Sequence, residues 1–75
     1  MSIMFYSEYA CTGSNYHEVT QDLWPGDWER LGLEWYPRSC QFSGKCNVNG
    51  VVLSGDNVCV ELSSPFEIVF VHMEN

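Results

Sequence analysis

The stretch Leu23 to Tyr36, LWPGDWERLGLEWY, decides how the chain is read. Trp24, Trp28, Leu31 and Trp35 recur at intervals of four, three and four, which at about 100° per residue places them on one narrow stripe. Pro25 suits a first helical turn, where its missing N–H costs nothing. Asp27 and Glu29 complement the positive end of a helix dipole. Pro37 stops the run by forcing Tyr36 out of the α region, and Gly32 weakens its interior by about 1 kcal/mol relative to Ala. Arg30 lies three residues after Asp27 and four before Glu34, a spacing for helical ion pairs. The pattern predicts a helix whose three tryptophans belong to the core.

On the N-terminal side, residues 2–10 (SIMFYSEYA) read as a strand, with Ile3 and Phe5 on one face and Met4 and Tyr6 on the other. Cys11 to Ser14 is a turn signal. Asn15 to Leu23 permits a short helix through Tyr16, Val19 and Leu23, against the β-branched pair Val19–Thr20. On the C-terminal side, Pro37 to Lys45 reads as a polar loop. Asn49-Gly50 is a type I′ hairpin signal. Ser54-Gly55-Asp56-Asn57 and Ser63-Ser64-Pro65 read as further turns between Val51–Leu53, Val58–Leu62 and Phe66–Met73. The last run, apolar on nearly both faces, suits a central strand. The expected architecture is α+β, one domain spanning 1–75: a three- to five-stranded antiparallel sheet with one or two short helices packed on one face.

The composition is as informative as the pattern. In 75 residues there are ten acidic side chains and three basic ones, a formal net charge of −7. Residues 1–36 hold Glu8, Glu18, Asp22, Asp27, Glu29 and Glu34 against Arg30 alone, a net −5. Such crowding costs folding free energy and attracts basic partners. With 45% hydrophobic and 15% aromatic residues the chain is not of the disordered class. No secretory leader is read at the N-terminus and no run reaches the roughly 20 apolar residues of a membrane span, so the expected location is the cytoplasm.

Four cysteines, Cys11, Cys40, Cys46 and Cys59, are separated by 28, 5 and 12 residues. That spacing has no zinc knuckle. Free, mostly buried thiols are the first expectation, with a disulfide such as Cys40–Cys46 or a metal site as alternatives. No spacing singles out a nucleophile–base pair between a cysteine and His17 or His72, so no catalytic residue, metal or cofactor is assigned. Phosphate cradles are absent, and three cations are too few for direct nucleic-acid binding.

The acidic set remains. It reads either as a solvated face that keeps a small protein in solution, or as a partner-binding surface formed by Glu8, Tyr16, Glu18, Asp22, Asp27, Glu29 and Glu34. Acids would steer and specify association, and exposed aromatics such as Tyr9, Tyr16 or Tyr36 would supply desolvated contacts. A small, acidic, aromatic-rich domain of this kind resembles the phage-encoded anti-CRISPR inhibitors, several of which mimic DNA. The resemblance rests on size, the charge of −7 and the acids clustered from Glu8 to Glu34. It implies a non-enzymatic protein that binds a Cas effector subunit and blocks target DNA. The Arg38–Lys45 segment departs from an all-negative mimic. A second expectation is an antitoxin or immunity-type protein that neutralises a basic toxin or nuclease; a third is a small enzyme or redox protein built on the cysteines. Monomer and homodimer are both open, the latter through Val69, Val71 and Met73.

Overall fold

In the computed structural model, residues 1–62, 67–68 and 70–74 are described. Five strands form one antiparallel sheet: β1 (Ile3–Tyr6), β2 (Tyr16–Val19), β3 (Ser39–Val48), β4 (Val51–Glu61) and β5 (Val71–Glu74). Among the described residues the helical content is one 3-10 turn, Tyr9–Cys11, and one turn of α-helix, α1 (Asp27–Arg30). The antiparallel sheet expected from the sequence is present. The expected helices packed on one face are not borne out among the described residues, where the architecture is mostly sheet.

β3 is the spine. Along one edge it pairs with β4 throughout. Along the other, β1 takes Ser39 to Phe42 and β5 takes Lys45 to Val48, so that β1 and β5 lie end to end. β2 flanks β1, and Leu23 continues that row by bridging to Val71. In β3 Cys40 and Phe42 before the bulge, and Cys46 and Val48 after it, are buried, joined on the same face by Ile3, Phe5, Val19 and Val71. This is the period-2 pattern of a strand with one buried face.

The segment after Leu23 covers that face irregularly. Trp28 is 3% exposed and packs edge-on against Phe5 at 5.5 Å and Trp35 at 6.0 Å. Trp24 is 58% exposed instead, stacking edge-on with Phe70, and Leu31 is also exposed. The four-residue stripe therefore never forms. Gly26 and Gly32 stand at φ 94° and 70°, bounding α1 on both sides with left-handed backbone. Leu31 N–H and Gly32 N–H reach back only three residues, to Trp28 and Glu29 carbonyls, closing the helix after one turn. The apolar interval was helical, but the glycines set the backbone.

Other expectations are corrected similarly. Residues 15–23 hold β2 rather than a helix, as the β-branched Val19–Thr20 pair favours. Residues 37–45 are not a loop; most of them form the first part of β3. Residues 54–57 are not a chain-reversing turn but a bulge inside β4, where Asp56 and Asn57 lie opposite Ser43 alone, with Asn57 at φ 51°. Ser43 Oγ fixes it by accepting from Asn57 N–H (2.7 Å) and donating to Asp56 Oδ1 (3.2 Å). The Asn49-Gly50 hairpin turn is found as expected, with φ 52° and 90° at the two positions. Of the expected strand 66–73, Val71–Met73 lie in β5, while Phe66 and Val69 fall outside the described residues, as does the Ser63-Ser64-Pro65 turn. Val71 is fully buried within the protomer and is not a surface for a second copy.

The cysteines also pair differently. Cys11 and Cys59 form a disulfide, Cα–Cα 6.1 Å, while Cys40 and Cys46 are free and buried. Both of the latter project to the core side of one strand; Cys59, opposite Gln41 in the register, lies on the other side, where the 3-10 turn reaches it. Ala10 and Cys11 hold positive φ (59° and 53°). The cost of that backbone is met by Ala10 N–H to Glu61 Oε1 (2.8 Å), Cys11 N–H to the buried Ser39 Oγ (2.9 Å), and the disulfide.

Candidate functional site: the carboxylates and their partners

The fold distributes the acidic set between several elements. Glu8, just before the 3-10 turn, meets Arg38 at 3.5 Å, and Arg38 also lies over the Tyr9 ring at 5.5 Å. Asp27 opens α1: its Oδ2 accepts Trp24 N–H (2.9 Å) and its Oδ1 pairs with Arg30 at 2.6 Å. Asp22 is fixed between β2 and α1 by β5, accepting Met73 N–H (2.9 Å) and meeting His72 Nδ1 at 2.7 Å. The Met73 amide first, then His72, hold its pKa below 3.8.

The remaining members have no cation. Glu18 lies beside Met4 on the face of the sheet opposite the core and accepts Ser2 Oγ (3.0 Å). A shallow hollow of about 370 Å³ lies there, lined by Glu18 with Met4, Tyr6, Gln41 and Asn57. Tyr16, also on this face, is exposed, its ring 6.3 Å from Tyr6. Glu34 is exposed on the covering segment. Glu29 in α1 is exposed, and the pKa of Glu67 is raised above 4.5, first because sharing a proton with the Glu29 carboxyl favours its neutral form and then because the two charges repel. A carboxylate beside a carboxylate favours the protonated form of one of them.

A pattern follows that the linear sequence does not show. Lys45 meets Glu74 at 3.5 Å, so all three Lys and Arg side chains already hold an acid. Among the described residues, Glu18, Glu29, Glu34, Asp56, Glu61 and Glu67 are left without one. Exposed pairs of this kind are worth about 0–1 kcal/mol each, yet they fix where charge remains. Half of the six acids named from the sequence, Glu8, Asp22 and Asp27, are engaged internally; Glu18, Glu29 and Glu34 are open. The structure adds Glu67, Glu61 and Asp56 to the open set. Glu67 is 38 residues from Glu29 in sequence, and no spacing rule joins them.

The two free thiols are poorly placed to act as nucleophiles. Burial pushes the Cys40 thiol up to about 12 and raises that of Cys46, which leaves neither as a thiolate near neutrality. Among the described residues no three His, Cys, Asp or Glu side chains group as a metal site. No helix in the described residues is long and apolar enough to cross a membrane. No protein-family model, curated protein or solved structure matches the chain.

Proposed function

We propose that the protein is a non-enzymatic inhibitor that docks its uncompensated carboxylates onto a basic, nucleic-acid-binding surface of another protein. A Cas effector subunit is the partner class that the resemblance implies. The observation carrying this reading is that Arg30, Arg38 and Lys45 each already meet an acid, which leaves Glu18, Glu29 and Glu34 exposed without a cation among the described residues. Such an arrangement opposes folding at neutral pH and is relieved when a cationic surface covers it. Exposed Tyr9, Tyr16 and Tyr36 are available for desolvated contact.

The test is a triple reversal, Glu18→Lys, Glu29→Lys and Glu34→Lys, assayed for inhibition of DNA binding by a Cas effector at low and high salt. Loss of inhibition in the variant, with its circular-dichroism spectrum unchanged, is expected. Inhibition that survives the reversal in low salt ends the proposal.

One observation favours a second reading. The Cys11–Cys59 disulfide suits an oxidising compartment better than the cytoplasm. There, the same acids would serve an immunity-type protein that neutralises a basic toxin or nuclease.

A further inference from the structure

β4 is the edge of the sheet, and among the described residues nothing pairs with its outer side. From Val51 to Gly55 it runs in unbroken register with Val48 to Gly44, five residues of regular strand. Beyond Gly55 the bulge at Asp56–Asn57 turns the edge, and the disulfide at Cys59 and the Ala10–Glu61 bond tie its far end to the 3-10 turn. The open stretch matches the usual length of a strand. Val51 and Val52 point to opposite faces and are 59% and 61% exposed. An apolar hollow of about 180 Å³ lies against the strand, lined by Val48, Val51, Leu53, Val60 and Leu62, with Glu61 in its wall.

We infer that the Val51–Gly55 edge accepts an extended, lysine- or arginine-bearing segment of a protein partner as a sixth strand. Backbone hydrogen bonds would supply affinity, and the hollow would take an alternate apolar side chain of the incoming strand. Its basic residues would meet Asp56 and Glu61, neither of which holds a cation. A second copy of this chain is a poor occupant. β4 carries no basic residue, and each copy brings a net −7. The inference rests on the proposed charge-driven docking and specifies one segment of the partner.

The test uses two synthetic ten-residue peptides of alternating valine with either lysine or glutamate, added to the intact protein and followed by amide hydrogen exchange. The lysine peptide is expected to slow exchange between Val51 and Gly55 on the order of tenfold or more, with the glutamate peptide inert. Val51→Lys, at an exposed position, is expected to weaken binding of the lysine peptide on the order of tenfold. Lysine-peptide binding without protection of Val51–Gly55 overturns strand addition and leaves charge-driven docking standing. Equal protection by both peptides, independent of salt, overturns the cationic occupant together with the docking it rests on. Absence of binding at millimolar peptide overturns the inference alone, the triple reversal remaining the test of docking. Dimerisation in sedimentation with Val51–Gly55 protected would make a second copy the occupant and overturn it as well.

Discussion

At the scale of single residues, burial and charge make opposite demands that can be measured separately. Cys40 and Cys46 lie on the core face of β3, and the Cys40 thiol is pushed up to about 12. Native protein is therefore expected to react negligibly with a thiol reagent at pH 7–8, and to show two reactive thiols once unfolded without reductant. Rapid modification of the folded protein would contradict that placement. The carboxylates behave differently. Asp22, with its folded pKa held below 3.8, contributes stability above its unfolded value and loses it as pH falls through the folded one. Glu67, raised above 4.5, has the reverse sign: its contribution is complete in acid and is lost as pH rises through the folded value. Denaturation across the acid range should show Asp22→Asn less stable than the parent at neutral pH, the difference shrinking below about pH 4. Glu67→Gln should be more stable than the parent at neutral pH, with its advantage fading in acid.

At the scale of elements, the bulge in β4 decides the register of the longest hairpin. A Cβ on Gly55 would stand 2.5 Å from Val58 Cγ1, on a backbone at φ 158°. Gly55→Ala is expected to destabilise by about 1–3 kcal/mol through that overlap, read as a shift in denaturant midpoint at unchanged m-value. Gly50→Ala meets no neighbour, but its φ of 90° should cost about 1–2 kcal/mol. The same elements show what was legible in the chain. Asn49-Gly50 announced its hairpin through local chemistry alone. β1 announced its buried face through Ile3 and Phe5. Residues 39–48 concealed a strand because Ser43, Gly44 and Lys45 are exposed around the bulge, while two of its five buried side chains are cysteines, easily read as cross-links. The tryptophan interval of Leu23 to Tyr36 pointed to a helix because periodicity ignores the left-handed backbone at Gly26 and Gly32.

For the molecule as a whole, the disulfide and the net charge set stability. Cys11 and Cys59 enclose a separation of 48 residues, for which loop-closure entropy gives about 4 kcal/mol. For a 75-residue domain that is a large share of the total. Reduction, or the Cys11→Ser and Cys59→Ser pair, is expected to lower the melting temperature by more than 10 °C, since 1 kcal/mol corresponds to roughly 4–8 °C at this size. An unchanged melting temperature after complete reduction would show that the bond contributes little. The location of the open acids was the least readable property of all, because it depends on which carboxylates meet Arg30, Arg38, Lys45 and His72 after folding.

β1 ends its pairing with β3 at Phe42 and β5 begins at Lys45, so Ser43 and Gly44 form a seam, with the β4 bulge directly across from it. A central strand is ordinarily the stiffest part of a sheet, yet here its midpoint is braced least. Bending between the two ends of the molecule should concentrate at that joint. Deuterium uptake should then be faster at Ser43–Gly44 than at either end of the strand that contains them, an inversion of the usual centre-to-rim order.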